Sequence, residues 1–242
     1  MRIVESILTS EGDGAEVQRL FPLRAGRMNH DPFVLWDHFL LEKGMGFPTH
    51  PHRGFEAITY IFEGSMEHKD NLGNHSRVYA NGAQRFTAGR GIEHSEMPDE
   101  NQRTTGIQLW INLPQRLKTL DADYQQVDAG SIPEKHSEGM TIRTIVGDDS
   151  PLSLHTPVHY LDVSLGNGME FSEIIPDGYQ GLVYLVNGLL QCDNNEVNPA
   201  SAIYIEQGDK HIKVTAKKDS RFMLCIGAPH HEPIHQWGPF VD

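Results

Sequence analysis

Apolar residues along this chain fall in short runs, and none keeps helical spacing for long. Residues 57–62, 106–113, 141–146, 182–186 and 221–226 are rich in β-branched and aromatic side chains. Runs of that length and composition predict strands. Asp70-Asn71-Leu72-Gly73-Asn74 and Gly147-Asp148-Asp149 supply turns between them, within a chain of 23 glycines and 14 prolines. Only residues 114–120 suggest a short helix, with Pro114 suited to its first turn. Many short strands at regular spacing predict an all-β fold of sandwich or barrel type.

The two halves echo each other. Tyr60-Ile61-Phe62-Glu63-Gly64 is matched by Tyr184-Leu185-Val186-Asn187-Gly188, and Gly91-Ile92-Glu93-His94 by Gly208-Asp209-Lys210-His211. A repeat at so long a period implies duplicated domains rather than a solenoid. The polar stretch from Asp128 to Lys135 holds Gly130 and Pro133 and marks the boundary. The expected division is residues 1–130 and 131–242.

Composition narrows the function classes. The chain has 242 residues, 38% hydrophobic and 22% charged, with a net charge of −13. An acidic balance disfavours direct nucleic-acid binding. No apolar run approaches the roughly 20 residues of a membrane-spanning helix. The N-terminus shows no long apolar segment of a secretory signal, and the expected compartment is the cytoplasm. Cys192 and Cys225 are too few for a disulfide framework and read as small core residues.

Histidine is the unusual residue, with 14 in the chain. His50-Pro51-His52 places two imidazoles at i and i+2, which share one face of a strand. His94-Ser95-Glu96 does the same with an imidazole and a carboxylate. An isolated H-x-H is more often a core or turn pair than a ligand pair. Two such pairs in a β-rich chain offer three nitrogens and one oxygen to a single ion. That set suits one divalent transition metal: iron(II) first, with zinc, nickel, manganese, cobalt and copper also accommodated. The second half differs, because alignment sets Ile174 and Pro176 against His50 and His52, and His211 and Lys213 against His94 and Glu96. That half is expected to keep the fold and lack the metal.

Other residues have plainer readings. Phe47, Phe55 and Trp110 either line an apolar pocket or fill the core. Arg53 either supports the site or forms a surface salt bridge. His68 and His75 flank a hairpin tip and read as exposed. His230, His231 and His235 read as turn residues, and Glu93 as facing away from His94.

Residues 44–56, running on to Gly64, look like a first cupin motif, and Gly82, Gly89, Gly91 and His94 like a second. More narrowly, the chain resembles the pirin family. The resemblance is carried by Asp31-Pro32-Phe33, by residues 50–56 and 67–74, by residues 87–98, by residues 108–114, and by the ending Trp237-Gly238-Pro239-Phe240-Val241. It implies a bicupin: two jelly-roll-like β-barrels in tandem, with metal in the first. It carries the ligand set to His50, His52, His94 and Glu96. General cupins would use Glu56 instead, four residues after His52, and even spacing would also point Glu56 inward; the choice of Glu96 rests on the pirin pattern.

The resemblance further implies a dioxygenase that opens flavonols such as quercetin and releases carbon monoxide. Glu96 would then act as general base on the substrate hydroxyl. The alternative is a non-enzymatic, metal- or redox-dependent regulatory protein that binds a protein partner. A monomer is expected, without nucleic-acid or membrane partners.

Overall fold

The computed structural model describes residues 1–23, 26–99 and 102–242. Strands dominate, and no α-helix occurs among the described residues. Every run predicted as a strand falls on one, Leu113 alone lying a residue beyond its end: Phe55–Glu63, Thr104–Asn112, Met140–Val146, Gln180–Cys192 and His211–Gly227. The helix expected over 114–120 shrinks to a single 3-10 turn, Gln115–Leu117, and Pro114 caps it in an extended conformation. The Glu232 carboxylate accepts from the Gln115 amide at 2.6 Å, and Leu120 is recruited by the Arg90 amide, so the chain has no room to propagate the helix.

The chain forms two compact units, Ile7–Ser131 with His230–Asp242, and Ile132–Pro229 with Met1–Ser6. The break between Ser131 and Ile132 falls in the polar stretch singled out above. The expected division at 130 needs correction at both termini. The first strand, Arg2–Glu5, pairs antiparallel with Ser201–Ile205, and the last residues pack on the N-terminal unit.

In the first unit seven antiparallel strands run in the order Asp123–Val127, Ala83–Thr87, Phe55–Glu63, Thr104–Asn112, Phe33–Leu41, Ala15–Phe21 and Ile7–Glu11. A second sheet is ordered Phe47–His52, Ile92–Pro98, Ser65–Asp70 and His75–Tyr79. Seven successive residues of the central strand from Phe55 are buried, which explains its continuous rather than alternating apolar run. Strand Ile92–Pro98 instead alternates, with Ile92, His94, Glu96 and Pro98 inward. Phe55, Phe86, Trp110 and Val34 form the core beneath that strand. Val17, Phe39, Ile61 and Met66 form another cluster of the same unit. Each large apolar side chain so buried contributes about 1.5–3 kcal/mol.

The second unit is one nine-stranded sheet organised around two long strands, Gln180–Cys192 and His211–Gly227. Its main core cluster is apolar, with Phe171, Val183, Leu185, Ile212, Val214, Phe222 and Leu224 among its members. Cys192 and Cys225 are both buried and unbridged, as expected, and burial pushes both thiols up.

Candidate metal centre

Two neighbouring strands carry the pairs His50–His52 and His94–Glu96. His94 pairs directly with His50, and Ile92 with His52. An irregularity between His94 and Glu96 then sets Glu96 against Phe47, so Pro48 and Thr49 on one strand oppose Ser95 alone on the other. Such a bulge re-aims side chains locally. The three imidazole centroids lie 4.5, 4.6 and 4.9 Å apart. One donor atom from each of His50, His52 and His94 lies within 4.8 Å of the others. Among the described residues neither Glu96 nor Glu56 belongs to that group.

Hydrogen bonds fix the ring nitrogens. His50 Nδ1 meets the Pro48 carbonyl at 2.7 Å, and His52 Nδ1 meets the Pro239 carbonyl at 3.2 Å. A carbonyl can only accept, so both protons sit on Nδ1 and both Nε2 atoms keep a free lone pair. His94 Nδ1 lies 3.4 Å from Nδ1 of His68, whose Nε2 contacts Asp70 Oδ2 at 3.0 Å. The Asp70 carboxylate accepts from His68 Nε2, and His68 Nδ1 in turn accepts from His94. His94 Nε2 is then buried without a hydrogen-bond partner. An orphaned imidazole nitrogen beside two others is what a metal ion would satisfy.

Burial, then the neighbouring imidazoles, holds His52 and His94 well below the ordinary histidine range. Both are neutral near pH 7, the form that can ligate. The residues present therefore fit a metal ion.

Glu96 sits beside the triad and is fully buried. Its Oε1 accepts from Thr59 Oγ1 at 2.7 Å and from Gln84 Nε2 at 2.5 Å, while Oε2 accepts from Gln108 Nε2 at 2.6 Å. Trp110 Nε1 donates to Gln108 Oε1 at 3.1 Å and fixes that amide. A second chain reaches Gln84: Ser76 contacts the Tyr124 hydroxyl at 2.6 Å, and that hydroxyl donates to Gln84 Oε1 at 3.1 Å. Burial pushes the Tyr124 phenol up to about 12, so it remains a donor at neutral pH. Glu56 is also buried and accepts from Thr87 Oγ1 at 2.9 Å.

An open cavity of about 580 Å³ leads to the site, lined by Phe47, Pro48, His50, His52, Trp110 and Pro239, with Arg19, Asp37 and Gln108 among its polar residues. Of the three aromatic candidates, Phe47 and Trp110 line this cavity. Phe55 is buried core, stacked on Trp110 at 4.1 Å. Arg53 forms a two-pronged salt bridge with Asp242 at 2.9 Å. Glu93 faces outward. His75 is exposed and pairs with Glu67, and His231 takes a left-handed turn conformation.

The reading of His68 as exposed is corrected. It is fully buried, stacked on Tyr124 at 4.1 Å and directed at His94. Proximity to the Asp70 turn suggested a hairpin tip, but His68 shares its strand face with the barrel interior. Its i+2 spacing from Asp70 was the available signal. Thr59, Gln84, Gln108 and Tyr124 carried no signal in the sequence, because each reads as an ordinary strand residue.

Comparison with known proteins agrees with this architecture. Residues 14–111 match the Pirin family and residues 160–242 the Pirin C-terminal cupin domain. A pirin-like protein of Caulobacter vibrioides is 37% identical over all of this chain and 91% of that protein. Human pirin is 37% identical over 96% of this chain and 83% of that protein. A crystal structure of quercetin 2,3-dioxygenase from Acinetobacter baumannii is 28% identical with a TM-score of 0.90, covering all of this chain and 90% of that one. With whole-length identity at this level and both cupin units matched, this chain belongs to the pirin family.

Proposed function

We propose that this protein is a metal-dependent dioxygenase that cleaves flavonols such as quercetin with release of carbon monoxide. The observation that carries the reading is the cavity: a space walled in part by Phe47 and Trp110 and opening directly on His50 and His52. Its volume lies within the range of small-molecule sites. The likeness to the Acinetobacter quercetin 2,3-dioxygenase supports the same substrate class.

In this reading His50, His52 and His94 hold the ion and Glu96 is the fourth donor. Oε1 of Glu96 already takes two hydrogen bonds, whereas Oε2 takes one from Gln108 and has a lone pair to give. Iron(II) is the proposed occupant; the donor set also accommodates zinc, nickel, manganese, cobalt and copper. When bound, the ion supplies Lewis-acid and dioxygen chemistry at the flavonol 3-oxygen.

The chain's own residues do the rest. Trp110, Phe47 and Pro239 hold the flat rings and keep water from the reacting carbons. Once its Oε2 lone pair is loosened from the ion, the Glu96 carboxylate takes the proton of the 3-hydroxyl there, and the Thr59, Gln84 and Gln108 donors hold it in place. One dioxygen is consumed, the central ring opens, and a depside and carbon monoxide leave.

The test is quercetin consumption in air by protein reconstituted anaerobically with iron(II), with carbon monoxide quantified. Metal-dependent consumption with carbon monoxide released, lost in His52→Ala and Glu96→Ala, is the expected result. A stoichiometric metal with no turnover of any flavonol would overturn the substrate and favour a metal-dependent regulatory role.

A further inference from the structure

Each ligand histidine has a different support. His50 leans on the carbonyl of Pro48 in its own strand, and His94 on His68 of the adjacent strand. His52 leans on Pro239, 187 residues away. The segment that carries Pro239 is a small hairpin in which Gln236–Trp237 pairs with Phe240–Val241.

That hairpin is tied down around residues 53 and 54, immediately after His52. The Val241 amide donates to the Arg53 carbonyl at 3.0 Å. Buried Lys118 donates to the carbonyls of Gly54 and Val241, at 2.9 and 2.8 Å, and to Asn112 Oδ1 at 2.7 Å. Gly54 has φ of +87°, and a Cβ there would stand 1.7 Å from the Val241 oxygen. Only glycine allows the two backbones to approach so closely. Val241 is fully buried against the core beneath the site. The Asp242 carboxylate accepts from Arg53 Nε and Nη2, both at 2.9 Å, and from Trp237 Nε1 at 3.0 Å, closing the hairpin over its own turn.

We propose that residues 236–242 are a strap that holds the ring proton and the aim of His52, which makes Asp242 a positioning residue for metal binding although it lies outside the site. The inference rests on the metal reading of His50, His52 and His94 given above, and is independent of the flavonol.

The experiment uses the full chain and cobalt(II) as the probe. Cobalt(II) affinity is read from its visible absorbance, and the histidine tautomers from nitrogen-15 spectra of the metal-free protein. Asp242→Ala is expected to weaken cobalt(II) binding about tenfold, the low end of outer-shell effects. His52 then loses its single Nδ1-protonated form while His50 and His94 keep theirs. Asp242→Glu keeps the carboxylate and recovers most of the affinity. Lys118→Met acts in the same direction; if it fails to fold, Asp242→Ala decides alone, since the Asp242 side chain is about half exposed (45%). Wild-type affinity and an unchanged His52 tautomer in Asp242→Ala would overturn the strap and leave the metal site standing. Absence of cobalt(II) binding by the unaltered chain would overturn the metal reading and the strap with it.

Discussion

The two units share a strand pairing and put it to opposite use. In the first, His94 pairs with His50; in the second, His211 pairs with Ile174 at the aligned position. Yet His94 is buried and His211 is exposed. On strand His211–Gly227 the inward residues are Ile212, Val214 and Ala216, so His211 and Lys213 point to solvent, where Lys213 pairs with Glu170 at 2.8 Å. The period of a strand is two, so a one-residue offset moves every side chain to the other face. The contrast between the halves is therefore more than a change of residue type. Even a ligand placed at positions 174, 211 or 213 of the second unit would face outward, while the inward positions 212, 214 and 216 belong to an apolar core.

That comparison can be broken most sharply at the first unit. His94→Ala removes the imidazole whose Nε2 has no other partner, and is expected to abolish stoichiometric metal binding, measured by elemental analysis after dialysis. Retention of one metal per chain would show that the triad is not the site. In the second unit, Val214→Glu places a carboxylate in an apolar interior and is expected to cost about 3 kcal/mol or more in urea unfolding. Its neighbour Lys213→Glu changes charge at an exposed position and should cost less than about 1 kcal/mol. Equal costs at 213 and 214 would refute the inward–outward assignment.

The same difference has a pH signature. Folding holds His52 and His94 below their ordinary value of 6.5. The unfolded chain then binds more protons than the folded one below pH 6.5. Stability of the metal-free protein is fully present above 6.5 and is lost as pH falls, by up to about 1.4 kcal/mol per pH unit for each histidine. Replacing both by Gln should flatten the acid limb of the unfolding profile. A more local effect is expected at Gln108→Leu, which removes the donor on Glu96 Oε2 and the acceptor of Trp110 Nε1 and should weaken metal binding by about tenfold.

The strands, the two units and the histidine pair His50–His52 could be read from the sequence because each depends on local spacing. Alternation and turn residues define a strand, and H-x-H puts two imidazoles on one face wherever the strand lies. Lys118 shows the opposite case. As a residue it reads as a solvated cation, but three acceptors from Gly54, Asn112 and Val241 bury it. His68 was misread for the same reason: a position near a turn says nothing about which sheet covers it.

By itself, then, the sequence determined the all-β fold, the two units and the pairs His50–His52 and His94–Glu96. Tertiary structure decided that His94 pairs with His50, that a bulge separates Glu96 from the register, and that a hairpin 187 residues away holds His52. It also decided the inward face of the second unit. The physical reason is that spacing fixes which side chains share a face, whereas the pairing of distant strands fixes which face is inside and what the buried polar atoms meet there.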